Sequence, residues 1–409
     1  MRDLESGQRS ETVRRANLSA IVRVLHARGP LSRSELVART GLTRSAIRSH
    51  VGELYAAGLV TEERPAPLGV PGRPSPVVSL DREHVTVLAM EIAVDSLAAA
   101  HVGPAGEVIG RRRIDRRRGQ SSVDAVVADL AALVRRVRPG RIDADAVVGI
   151  GIAVAGVVRR DDGLIRKAPN LGWTDVALVE RVAAALETDV PVTVANEADM
   201  GALGESRRGA ALGADDVLYV SGEVGVGGGI IVDGRPLTGV AGYGGEIGHI
   251  PVNPVGATCG CGAIGCWETE IGEGVLLRLA GRPADGGRPA VDAVLAAADA
   301  GDPFALAAID HVGTWLGIGL AGLVNIFDPR LIVLGGRFAR LAPYVGAIVE
   351  AELDRRALAA PRDLVRVTAA TLGDDAPLLG AAELAIEPLL ADPAAWLGPR
   401  SALAALASA

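Results

Sequence analysis

Apolar positions recur at helical spacing from Asn17 to Leu25, and Gly29-Pro30 then breaks the pattern. Ser32 reads as an N-cap, with Glu35 three residues on in capping-box spacing. The helix it opens turns Leu36 and Val37 inward and closes near Thr40-Gly41. Thr43 reads as a second cap, for a helix that runs through Ala46, Ile47 and Val51 to Leu54 and Tyr55. Past Ala57-Gly58, two extended runs, Thr61 to Arg64 and Val77 to Leu80, are placed to pair as a wing. Helix, helix, glycine turn, longer helix and wing is a winged helix-turn-helix order. This head is assigned to residues 1–80.

From residue 85 the period changes. Strand-like runs at Val85 to Met90, Ala146 to Val154, Val217 to Val220 and Leu331 to Leu334 alternate with helical stretches. The helices are expected at Val123 to Val137, Val176 to Leu186, Ala290 to Ala300 and Pro303 to Asn325. Such alternation predicts an α/β body over 85–385. The Ala-rich end, 386–409, is expected to be a tail that frays.

Charge divides the chain the same way. Net charge is -7 overall, yet residues 1–75 hold twelve Arg against seven Asp and Glu, a local +5. A basic head on an acidic body confines nucleic-acid contact to the head. The outward positions of the third helix are Arg44, Ser45, Arg48 and Ser49, polar groups suited to base edges and phosphates. Between the wing strands, Arg73 lies among five prolines, and an arginine on such a stiff segment suits the minor groove. Double-stranded operator DNA is the expected partner. No run of about 18 apolar residues occurs, and Met1 to Arg15 lacks a signal peptide's apolar core. A cytoplasmic protein without membrane association is expected.

All three cysteines fall in Cys259-Gly260-Cys261 and Cys266, ten to seventeen residues after His249. Three thiolates and an imidazole suit tetrahedral zinc, and four protein donors leave no open position, so the site is expected to be structural. Glu246 and Glu268 flank this clip. Carboxylates held together there would accept hydrogen bonds from the hydroxyls of a sugar.

These segments resemble the ROK family (repressor, open reading frame, kinase) over roughly residues 85–385. The resemblance rests on Gly245-Glu246-Ile247-Gly248-His249, on Cys-Gly-Cys-Gly-x-x-Gly-Cys-x-Glu at 259–268, on Ala168 to Trp173 and on Asn196-Glu197-Ala198-Asp199. It implies a two-lobed actin-like ATPase fold split near residue 200, a sugar in the interlobe cleft, and a homodimer or homotetramer. By position, it implies sugar contacts from Asn196, Glu197, Glu246, His249 and Glu268, with His249 serving the metal through one ring nitrogen and the sugar through the other.

The chain departs from the family's kinases at three places. Their first phosphate loop reads Asp-x-Gly-Gly-Thr-Lys, against Glu91-Ile92-Ala93-Val94-Asp95-Ser96 here. Without glycine the backbone cannot approach phosphate closely. Their second reads Gly-Thr-Gly-x-Gly-Gly-Gly, against Glu223-Val224-Gly225-Val226-Gly227-Gly228-Gly229. Their catalytic Asp is replaced by Glu197, whose extra methylene moves the carboxylate by about 1 Å, enough to slow a reaction about a hundredfold. The expectation is a sugar-responsive, DNA-binding regulator of sugar metabolism or transport genes without kinase activity. The competing readings are an ATP-dependent hexose kinase and a regulator governed by a protein partner.

Overall fold

The computed structural model describes residues 2–63, 75–119, 122–143 and 145–398. Arg73 therefore lies outside the described residues, as does the end of the expected tail.

The head folds as its caps direct. Ser32 and Glu35 close a reciprocal capping box on the helix Arg33–Thr40, and Gly41 ends it at φ 70°. The Thr43 side chain accepts from the amide of Ala46 at the start of Arg44–Ala56. Val60–Glu63 and Val77–Leu80 pair antiparallel, and the short strand Leu31–Ser32 joins as the third member. The first helix departs from expectation: it runs over Arg2–Arg28 rather than beginning near Asn17. Its N-terminal part is polar and so carries no apolar period. Glu11 pairs instead with Arg14 (2.9 Å) and Arg15 (3.2 Å) on its own helix, and Arg14 reaches Glu53 of the third helix at 2.6 Å.

The body has two sheets with a helical layer between them. The first sheet has the order Val192–Asn196, Val147–Val154, Thr86–Ile92, Ser96–Val102, Val108–Asp115. The second has the order Arg235–Pro236, Val226–Val232, Val217–Gly222, Leu331–Gly336, Arg366–Ala369. A small sheet of Val157–Val158, Ile165–Ala168 and Trp173–Val176 sits beside the first. Glu197–Arg208 packs on the second sheet and Ala376–Ala391 returns to pack on the first, the two helices lying against each other. They approach closely because Gly204 and Gly380 have no side chain. A Cβ at Gly204 would sit 2.3 Å from the Ala376 carbonyl, and one at Gly380 1.8 Å from that of Met200.

Pro303–Phe327 is long and apolar enough to cross a membrane by length and composition. Here Leu316, Leu320 and Val324 are fully buried, and the helix packs along Arg337–Arg356. The tail begins as part of the body: Ala376–Ala391 runs through residue 386, and Leu389, Leu390 and Trp396 are buried. They join one apolar cluster with Leu18, Ile21 and Leu25 of the head.

Candidate interlobe site and nucleic-acid face

On the third head helix, Ile47, Val51 and Leu54 are buried, which turns Arg44, Ser45, Arg48 and Ser49 to solvent. Arg44 and Arg48 form no ion pair among the described residues, whereas Arg33 is held by Glu62 at 2.7 Å. The helix thus presents two free guanidinium groups near its N-terminus.

The four expected metal ligands converge. His249 ends the short turn Ile247–His249, and Cys259 and Cys261 sit on a tight knuckle closed by Cys259 N to Ala263 O at 2.8 Å. Trp267, fully buried and donating to the Trp315 carbonyl at 2.7 Å, anchors Cys266 beside them. Their ligand atoms all lie within 4.8 Å of one another. His249 Nδ1 is 3.6 Å from Cys259 Sγ, and Cys261 Sγ is 3.6 Å from Cys266 Sγ. A tetrahedral ion with bonds of about 2.3 Å to sulfur and about 2.0 Å to nitrogen needs edges of roughly 3.6–3.8 Å, so the set fits a metal. Burial pushes the Cys259 thiol up to about 12, a strain that a bound cation relieves.

The metal loop forms one wall of a cleft of about 380 Å³ between the lobes. Glu197, Glu246, His249 and Glu268 line it, with Asn196, Asn170, Lys167 and Gly225. His249 Nε2 faces Glu246 at 4.0 Å, while its Nδ1 faces Cys259. Glu268 is fixed by accepting from Val226 N at 3.3 Å. Asn196 has structural duties as well. Its Oδ1 caps the helix at Ala198 N (2.7 Å), and its Nδ2 donates to the Gly156 carbonyl (2.9 Å). Burial raises Glu246 above its ordinary range, with His249 opposing. Burial also lifts Glu197 well above its range, reinforced by Glu223 and Glu91.

Lys167 escaped the sequence reading, although it is the only lysine in the chain. Its neighbour Arg166 pairs with Asp175, but Lys167 makes no ion pair among the described residues and faces the cleft. Its solitary place in an arginine-rich chain was the available signal.

Next to the cleft, and sharing Glu197, Ser221 and Glu223 with it, lies a smaller cavity of about 40 Å³ lined by Glu91, Asp95, Arg113, Arg288 and Asp374. Side chains cross it. Arg113 bonds Glu91 at 2.6 Å, Ser96 Oγ at 2.9 Å and the Asp374 carbonyl at 2.8 Å. Arg118 joins Asp95 (3.0 Å) in the first lobe to Glu273 in the second, and Arg288 holds Asp374 at 2.7 Å. Arg337, fully desolvated, donates to the Glu223 and Ile271 carbonyls. Burial pushes the Glu223 carboxyl up to about 7, against the pull of Arg337.

The profile of the ROK family matches residues 87–388. The chain belongs to the ROK family. A helix-turn-helix domain profile matches residues 19–63. The chain is 34% identical to a glucokinase of Halalkalibacterium halodurans, over 73% of this chain and 94% of that one. It is 27% identical to the xylose repressor of Bacillus subtilis, over 92% of this chain and 97% of the repressor. A crystal structure of a ROK family transcriptional regulator, a homologue of the E. coli MLC protein, superposes with TM-score 0.77 at 26% identity. The match covers 96% of this chain and 99% of that one. The glucokinase match thus leaves about a quarter of the chain uncovered, while the xylose repressor and the ROK regulator structure each match more than nine-tenths of it.

Proposed function

We propose that this ROK protein is a sequence-specific, DNA-binding transcriptional regulator whose operator affinity is set by a sugar in the interlobe cleft. The observation that carries it is the joining of a free, basic recognition helix to an open cleft lined by Glu197, Glu246, His249 and Glu268. The full-length likeness to regulators supports it. The head, 1–80, contacts DNA through Arg44, Ser45, Arg48 and Ser49, with Arg73 entering the minor groove. The body, 85–385, holds the sugar through Glu197, Glu246, His249 and Glu268, and Asn196 positions Glu197 at its helix terminus. The metal is zinc, held by His249, Cys259, Cys261 and Cys266. With no open coordination position it keeps Glu246 and Glu268 in place and performs no chemistry. A homodimer or homotetramer, working in the cytoplasm, offers paired recognition helices to a symmetric operator.

The chain is not a kinase on this reading. Phosphoryl transfer needs backbone amides and a metal ion around the transferred phosphate. Here Glu223 stands at the glycine-rich loop that lines the cleft, and Glu91 and Asp95, with their arginine partners, stand beside it. The second reading, an ATP-dependent hexose kinase, draws on the identity to a glucokinase. Hexose-dependent ATP consumption abolished by Glu197→Ala would establish it.

The test is binding to DNA from the protein's own upstream region, against a scrambled duplex, at fixed salt and across a panel of sugars. Specific binding that one sugar shifts about tenfold, lost in Arg48→Ala, supports the regulator. No preference over scrambled DNA under any sugar rejects it.

A further inference from the structure

The cleft and the DNA-binding head are joined by one helix. Glu197 is its first residue and lines the cleft, and Arg208 is its last. Its twelve residues span about 18 Å. Every residue from Ala198 to Ser206 is buried, and the close backbone contact through Gly204 and Gly380 leaves no slack along its length. A displacement at Glu197 therefore moves the helix as a rod rather than being absorbed within it.

At the far end the rod meets the head. Arg208 Nε lies 2.7 Å from Glu383 Oε1, and Arg208 Nη2 lies 2.8 Å from His26 Nε2. Glu383 Oε2 is 2.7 Å from the same His26 nitrogen. His26 and Glu383 are each 6% exposed. The other ring nitrogen, Nδ1, donates to the Pro104 carbonyl, so Nε2 is left to accept from Arg208 or, when protonated, to donate to Glu383. His26 belongs to the head's first helix, Glu383 to the helix returning to the first sheet, and Arg208 to the rod. A buried ionic knot adds little stability over apolar packing, and its best-attested use is to fix a register. The other ion pairs of head to body among the described residues, Arg23 with Glu387 and Arg15 with Asp392, are more exposed and do not touch the rod.

We propose that the helix Glu197–Arg208 transmits the state of the cleft to the DNA-binding head through the knot of Arg208, Glu383 and His26. This rests on the reading of the cleft as the effector site and of the head as the DNA contact. A ligand on Glu197 biases the rod between two positions, and the knot makes each position a different seat for the head.

The experiment uses the full-length protein, the operator duplex and the sugar that shifts the wild type. Operator affinity is measured with and without saturating sugar for wild type, Arg208→Met, Glu383→Gln and Arg23→Ala. The expected result is a sugar-induced shift of about tenfold in wild type and Arg23→Ala, falling to within about twofold in Arg208→Met and Glu383→Gln. Sugar affinity in the knot variants should stay within about threefold of wild type. A shift retained in both knot variants, or lost equally in Arg23→Ala, overturns the proposal. Should Arg208→Met and Glu383→Gln fail to fold, hydrogen exchange in wild type decides. Sugar must change protection at both 203–208 and 22–28, and a shift in operator affinity without that change overturns the proposal. A wild type that binds no sugar, or whose operator affinity ignores it, fails the functional reading instead.

Discussion

Two neighbouring cavities between the lobes are built from the same kinds of residue and differ in what their carboxylates face. At the larger one Glu246, His249 and Glu268 face about 380 Å³ of open space. At the smaller cavity beside it Glu91, Asp95 and Asp374 are bonded to Arg113, Arg118 and Arg288, and about 40 Å³ is open. A carboxylate with open space before it has lone pairs for a ligand, whereas one bonded to an arginine has spent them within the fold. The larger cavity leaves its carboxylates free, whereas beside the smaller one Arg118 braces Asp95 in the first lobe to Glu273 in the second.

The largest expected effect separates the two cavities. Arg113→Ala leaves Glu91 buried without its partner and should destabilise the protein by about 3 kcal/mol in denaturant unfolding. Sugar affinity should change little. Glu268→Gln should do the reverse, weakening sugar binding by about 2 kcal/mol in calorimetry with a small effect on unfolding. Loss of sugar binding in Arg113→Ala with stability unchanged would break the comparison.

A third effect comes from Asp199, which burial and then Glu246 push up to about 7. Between its unfolded value and about 7 the folded chain holds a proton that the unfolded chain has released. Its contribution to stability is therefore present at lower pH and lost as pH rises toward 7. Unfolding free energy should fall by roughly 1–3 kcal/mol from pH 5.5 to 7.5, and Asp199→Asn should flatten that slope. A slope unchanged in Asp199→Asn would mean that the carboxyl is ionised in the fold. The smallest effect is expected at Lys167, whose ammonium faces the cleft from an exposed strand position. Lys167→Met should weaken sugar binding by under about 1 kcal/mol. A larger loss would place the ligand's main contact on the small sheet rather than the metal wall.

Local signals in the sequence carried much of this. Ser32 with Glu35, and Thr43, are caps that act within three residues, and both helices begin where those residues require. The metal set was legible because its four donors fall within eighteen residues of chain. Glu91 to Ser96 depart from the motif of the family's kinases, but that departure did not show what packs around that end of the first strand. Arg113, Arg288 and Asp374 reach that end from distant elements, and no spacing rule connects them. His26, Arg208 and Glu383 were illegible for the same reason, since a buried ion pair spanning 357 residues leaves no local pattern. The helix Arg2–Arg28 was recognised only from Asn17 on because the sequence before it is polar and carries no apolar period.

The most direct test of the central claim, that one sugar and one operator act on a single equilibrium, is reciprocal. Sugar affinity is titrated by calorimetry on the free protein and on the protein saturated with its operator duplex, at the same salt. The account predicts that DNA changes the sugar Kd by the same factor by which sugar changes the DNA Kd. A sugar Kd identical with and without operator would contradict it.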